Sequence, residues 1–184
     1  LANALFLSGF FLSLWDFELG IWLGGLGLLA LTFCLLRYDI AWRTVRQIGL
    51  SRFMAVCLLT GYIWLGVGSI LWIAFARFFA AGPYYDAMLH SIFLGFVFSI
   101  IFAHAPIIFP SITGAAMPFQ QAFYFHLALL HLSLLLRVVG DLTLWMPGQK
   151  WGGLLNVLAV LLFLANNVRA VKLGQSDGHL FSHL

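Results

Sequence analysis

Charged side chains are scarce in this sequence. Only 8% of its 184 residues are Asp, Glu, Lys or Arg, whereas 63% are hydrophobic. A soluble domain carries about a quarter charged residues, so this composition excludes an ordinary soluble protein. The formal net charge is only +3, and nothing in the sequence predicts a nucleic-acid partner. The composition is that of an integral membrane protein, whose first partner is the lipid bilayer.

Cysteine and acidic residues are also few. The two cysteines, Cys34 and Cys57, lie in apolar stretches, which predicts small buried side chains rather than a disulfide. All six Asp and Glu residues fall in predicted loops or near predicted helix ends. A transporter more often carries a carboxylate within a helix. The sequence therefore favours neither a disulfide scaffold nor an ion-coupled transporter.

Long apolar runs account for most of the chain. A helix needs about 20 apolar residues to cross a hydrocarbon layer of about 30 Å. Five runs meet this need, at roughly 20–36, 53–79, 88–109, 121–139 and 153–170. The apolar but short stretch 1–15 is interpreted as part of a sixth helix; a signal peptide is the competing interpretation, but no basic region precedes the stretch and no small-residue cleavage site follows it. Residues 1–173 are thus predicted to form an all-α, polytopic transmembrane helical bundle of five to six helices, followed by a disordered polar tail at 174–184.

The distribution of cations predicts the orientation. Arg37, Arg43, Arg46 and Arg52 follow the second helix, and further cations follow the last one. Counting helices places both groups on one side of the membrane, which the positive-inside rule makes cytoplasmic. We expect the membrane to be the bacterial inner membrane.

Four histidines fall within two consecutive predicted helices. His90 and His104 are fourteen residues apart in one helix, and His126 and His131 lie in the next. Ionisable residues inside a membrane are costly to insert and usually functional, although a neutral imidazole bonded to a neighbouring helix is the plainer alternative. Fourteen residues turn an α-helix to about 40° short of four full turns, so His90 and His104 should share a face at opposite depths. The next helix runs back, which should bring His126 to the depth of His104.

Two imidazoles that face each other across a helix pair are the axial ligands of a six-coordinate haem. We therefore expect His104 and His126 to bind a b-type haem. His131 lies about 140° around its helix from His126, so it either faces a different helix or belongs to a second centre, which the haem interpretation assigns to His90 and His131. Arg137 could bind a haem propionate in a bidentate manner; an ion pair with the acidic residue four positions later accounts for it equally well.

The run HSIFLGFVFSIIFAHAPIIFPSITG, followed by FHLALLHLSLLLRVVGDL, resembles the NnrS family of haem- and copper-containing membrane proteins, distant relatives of haem-copper oxidase subunit I. The similar features span roughly residues 86–141. They are a His that opens a Gly-containing helix, Ala103–His104 before a Pro-containing turn, and an apolar helix ending in LRV. The resemblance implies bound haem b, a copper ion, and a role in respiratory or nitric-oxide-related chemistry. It also implies His90 and His104 as ligands of the metal centre and Arg137 as the matching arginine.

Two functions remain open at this point. In the first, the protein is a haem b-binding subunit of an oxidoreductase complex that transfers electrons, with other membrane subunits or a second copy as partners. In the second, it is a cofactor-poor structural or pigment-associated subunit whose aromatic surfaces pack against partner helices, lipids or pigments. The number of histidines at one depth distinguishes the two functions. A six-coordinate haem b needs two histidines at one depth, whereas the magnesium of a pigment needs one.

Overall fold

The computed structural model describes residues 1–114 and 116–181, apart from the side chains of Thr113 and of residues 176–181. Within these residues every regular element is a helix, and five helical segments are long and apolar enough to cross a membrane. The fold is an all-α helical bundle, which confirms the prediction. Helices suit lipid because each backbone N–H and C=O group is paired inside its own segment.

The helices follow one another along the chain as α1 (Ala2–Leu12), α2 (Phe17–Tyr38), α3 (Ala41–Thr44), α4 (Leu50–Ala74), α5 (Pro83–His90), α6 (Phe98–Thr113), α7 (Phe123–Leu142) and α8 (Met146–Phe181). A short 3₁₀ helix, Ala76–Phe78, follows α4, and a π-helical stretch, Ser91–Val97, joins α5 to α6. The five predicted runs coincide with α2, α4, α5–α6, α7 and α8. The apolar helix α1, with 11 residues, is shorter than a membrane span.

Several helix ends differ from the predicted runs. The third span begins at Pro83 and the last at Met146, five to seven residues before the predicted starts. Proline explains both, because Pro83 and Pro147 occupy the first turn, where the missing N–H has no intrahelical partner to lose. The last helix also extends to Phe181, through most of the predicted polar tail, whose residues 182–184 lie outside the described part of the chain.

Small residues bring α1 and α2 into close contact. A Cβ atom on Gly9 would overlap the backbone of Gly24, and one on Gly27 would overlap the backbone of Phe6. These pairs run in opposite directions along the two helices, so α1 packs antiparallel to α2. Small side chains at four-residue spacing allow this approach in membranes.

Two contacts between polar side chains join the ends of α2 to α4 and to the segment just after it. Arg77, just after α4, donates a hydrogen bond of 2.8 Å from Nε to Oε1 of Glu18 at the start of α2, and this carboxylate raises the pKa of the Arg77 guanidinium. Tyr62 of α4 donates from its hydroxyl to Asp39, the C-cap residue of α2, at 2.8 Å. Hereafter the arginine end of the bundle is the end formed by loop 37–52, and the opposite end is the one with Glu18 and Arg77.

The π-helical stretch changes the relation between His90 and His104. A π turn contains one more residue than an α turn, so Ser91–Val97 offsets the later part of the helix by about 100° from uniform α winding. The predicted offset of about 40° therefore becomes about 140°, and the two imidazoles do not share a face. The segment after His104 also differs from the predicted turn, since Pro106 and Pro110 lie inside α6.

Candidate functional site

Aromatic rings surround His126. The side chain is 1% exposed, and its ring centroid lies 4.8 to 6.1 Å from the ring centroids of Phe53, Phe102, Phe123 and Phe163. These phenylalanines come from four helical segments, α4, α6, α7 and α8. A planar cofactor could reach this imidazole only by displacing at least one of the rings.

The hydrogen bonds of His126 define which of its nitrogens carries the proton. The side-chain amide of Asn166 donates to Nδ1 at 3.1 Å and to the carbonyl oxygen of Ala122 at 3.3 Å. The carbonyl oxygen of Ala122 can only accept, so the Asn166 atom that bonds it is the amide nitrogen. This nitrogen can only donate, so Nδ1 of His126 accepts. A neutral imidazole then holds its proton on Nε2, which is buried and has no hydrogen-bond partner. In this form Nε2 is a donor and cannot ligate a metal.

His131 has the same proton arrangement. The indole Nε1 of Trp64 on α4 donates to Nδ1 of His131 at 3.0 Å. Because an indole N–H only donates, Nδ1 accepts and the proton of the neutral ring lies on Nε2. This atom is also buried and without a partner. His126 thus links α7 to α8, and His131 links α7 to α4. Such hydrogen bonds between helices are the alternative to metal ligation that was considered for these histidines.

His90 and His104 have the opposite arrangement. Nδ1 of His90 lies 2.6 Å from the carbonyl oxygen of Asp86, and Nδ1 of His104 lies 2.9 Å from that of Ile100. A carbonyl oxygen only accepts, so Nδ1 of each histidine donates and Nε2 keeps its lone pair. A ligating histidine is commonly held in this way, with its other ring N–H bonded to a carbonyl or carboxylate oxygen.

The contacts of His126 do not involve the face of α6 that carries His104. Phe102 of α6 meets the His126 ring edge-on at 4.8 Å. His104 is two residues further along, and two residues turn an α-helix through about 200°. The predicted haem ligation by His104 and His126 together stays a prediction, and these contacts lend it no support.

A cavity adjoins His90 at the opposite end. It measures about 290 Å³ and lies between the third span and α8, with Leu94, Gly153, Asn156 and Leu161 among its lining residues. Pockets that enclose a whole small molecule measure about 300–1,000 Å³, so this one suits the edge of a larger planar group. Its lining is apolar apart from His90 and Asn156.

Asn156, which lines this cavity, carries an unpaired polar atom. The residue is 4% exposed, and its Oδ1 accepts a hydrogen bond of 2.6 Å from the hydroxyl of Ser133 on α7. Its Nδ2 atom is buried and has no partner. A buried amide hydrogen without an acceptor costs about 1–3 kcal/mol.

Arg137 lies next to Gly153, which lines this cavity, and binds two carboxylates. Its Nε donates to Oδ2 of Asp141 at 3.0 Å, and its Nη2 lies 3.6 Å from Oδ2 of Asp86. Nη1 donates to the carbonyl oxygen of Gln149 at 3.0 Å, which fastens α7 to the start of α8. The local ion pair considered for Arg137 is therefore present. A haem propionate would have to compete with Asp86 and Asp141 for the guanidinium.

Three residues that form hydrogen bonds between helices were not predicted from the sequence: Trp64, Asn156 and Asn166. The two asparagines carry a signal that could have been used, because amides within an apolar span commonly hydrogen-bond across helices. Trp64 carries no comparable signal, because nothing in the sequence distinguishes it from the other six tryptophans.

The described residues contain no group of three or more His, Cys, Asp or Glu side chains placed to hold a metal ion. A copper site built from three imidazoles of this chain therefore has no support in residues 1–114 and 116–175. A haem iron needs only one or two protein ligands, and His90 and His104 each offer one free nitrogen.

Comparison with known proteins gives one result for the whole chain. No curated protein and no solved structure matches it. The profile of the family described as "Domain of unknown function (DUF8744)" matches residues 1–172, and the protein belongs to that family.

Proposed function

We propose that this protein is a b-type haem-binding subunit of a redox complex in the bacterial inner membrane, linked to respiratory or nitric-oxide-related chemistry. One observation carries the proposal. Nδ1 of His90 donates to the carbonyl oxygen of Asp86, which leaves the Nε2 lone pair free beside an apolar cavity of about 290 Å³. A b-type haem bound there would supply one-electron redox chemistry.

This chain's residues have distinct parts in the proposal. Asp86 fixes the tautomer and the orientation of the His90 ring through its carbonyl oxygen. Asn156 adds a polar residue to the otherwise apolar lining of the same cavity. His104, with its own free Nε2, is the candidate for a second centre. Each of these histidines would offer one nitrogen to its centre, so a second protein ligand would come from a partner subunit or a second copy.

Variants of the histidines test this assignment. We expect His90→Ala to lower the haem content of the purified protein, measured as pyridine haemochrome per chain. His131→Ala is the matched control: it also removes a membrane imidazole, but one whose Nδ1 is occupied by Trp64. Equal loss of haem in both variants, or no loss in His90→Ala, would contradict ligation by His90. His104→Ala tests the second centre in the same assay.

The second candidate is a cofactor-poor structural or pigment-associated subunit. The contacts of His126 and His131 favour it, because both rings are used to join helices. A single free histidine nitrogen also suits the magnesium of a chlorophyll-type pigment. Extraction of the purified protein with organic solvent separates the cases, since a magnesium tetrapyrrole, a haem and an empty protein give different absorption spectra.

A further inference from the structure

A cavity at the arginine end lies between the first turns of α4 and α7. It measures about 710 Å³, within the range of small-molecule sites, and is lined by Arg52 and Val56 from α4 and by Gln121, Tyr124 and Phe125 around the start of α7. It shares no lining residue with the His90 cavity, which lies at the opposite end. We call it the Arg52 cavity.

The polar side of the Arg52 cavity favours an anion. Arg52 is exposed and forms no ion pair among the residues that the structure describes, and no carboxylate lines the cavity. Gln121 and Tyr124 add an amide and a hydroxyl that can donate hydrogen bonds. The first turn of α4 adds backbone N–H groups, since Gly49 precedes it, with φ of +67°, and offers no capping side chain.

The apolar side of the cavity follows the bundle surface away from the arginine end. Val56 is four residues beyond Arg52 on α4, and Ala128 is four residues beyond Tyr124 on α7, so both lie about 6 Å deeper in the membrane. Phe125, beside them, is 72% exposed on the outer surface of α7. A hydrocarbon chain could lie along these residues and remain continuous with the lipid.

We propose that the Arg52 cavity binds one anionic phospholipid, with its phosphate at Arg52 and Tyr124 and an acyl chain along Val56, Phe125 and Ala128. Charge complementarity selects this occupant: the site has one cation, no acid, and a setting at the membrane surface among further arginines. Basic pockets between helices bind anionic headgroups in this way. The site is independent of the proposed haem function, because none of its residues contacts the His90 cavity.

Native mass spectrometry of the intact protein tests the site. The protein is released from micelles containing phosphatidylglycerol and phosphatidylcholine in equal amounts, and retained lipids are counted. We expect one phosphatidylglycerol to be retained in preference to phosphatidylcholine. In Arg52→Gln the preference should fall roughly five-fold, which corresponds to about 1 kcal/mol for one cation near an anionic lipid. Arg46→Gln, an exposed change of the same charge outside the cavity lining, should keep the preference.

A second variant tests the acyl-chain surface without changing charge. Ala128→Trp adds bulk at an exposed lining position, so it should lower lipid retention while leaving the fold intact. Soluble glycerol phosphate should not displace the lipid, because it lacks the chain. The proposal is wrong if Arg46→Gln loses as much preference as Arg52→Gln, if neither variant of the cavity changes retention, or if glycerol phosphate competes at equal concentration.

Discussion

Loss of Arg137 should destabilise the protein strongly, because one guanidinium serves three helices. Arg137 binds Asp141 on its own helix, Asp86 on α5 and the carbonyl oxygen of Gln149 on α8. The Asp141 side chain is only 1% exposed and would lose its cation. Removing one partner of a buried ion pair typically costs 3–5 kcal/mol. Since Arg137 itself is 20% exposed, we take the lower limit, about 3 kcal/mol, for Arg137→Leu.

Thermal unfolding in detergent measures this effect. For a chain of this size, 1 kcal/mol shifts the midpoint by about 2–4 °C, so Arg137→Leu should unfold roughly 6–12 °C lower. The double variant Arg137→Leu/Asp141→Asn should recover part of the loss, because no buried charge remains unpaired. Arg169→Leu, at an exposed position of α8, controls for loss of a cation. A shift below about 2 °C for Arg137→Leu, or a double variant as unstable as the single one, would refute this account of the cluster.

Two further predictions concern helix packing. Gly152→Ala would place a Cβ atom 2.6 Å from the backbone nitrogen of Arg137, so we expect a loss of about 1–3 kcal/mol in unfolding free energy, whereas Gly24→Ala, with its nearest atoms 3.9 Å away, should be tolerated. Equal stability of the two variants in thermal unfolding would contradict this. A double-mutant cycle with Trp64→Phe and His131→Leu should give a coupling free energy of about 0.6 kcal/mol, as for other hydrogen bonds between membrane helices. A coupling of zero would show that this hydrogen bond does not stabilise the protein.

The sequence predicted the helices well because their signal is local. The length of the apolar runs is enough to predict α2, α4, α7 and α8. The exact ends of the helices depend on further details, such as a proline in the first turn. The relation between His90 and His104 was missed for a different reason. A π-helical stretch arises from packing, and composition does not reveal it.

The candidate site shows the same division. Composition identified the four membrane histidines and Arg137, but not which imidazole nitrogen carries a proton. That depends on partners distant in sequence, such as Trp64 for His131, 67 residues away, and Asn166 for His126, 40 residues away. The role of Arg137 could not be decided from the sequence either. An arginine at this position is expected both for a local ion pair and for a contact with a ligand. Only the positions of Asp86, Asp141 and Gln149 show how the guanidinium is used.

The most direct test of haem binding is a reduced-minus-oxidised visible spectrum of the purified, intact protein. We predict a b-type band and, for protein purified as a monomer, a change in the reduced spectrum when carbon monoxide is added, because His90 would supply only one nitrogen ligand. An intact protein with no haem absorption would contradict the proposed function. If the haem of the monomer does not respond to carbon monoxide, this chain supplies a second ligand, which would contradict the assignment of His90 as the single ligand.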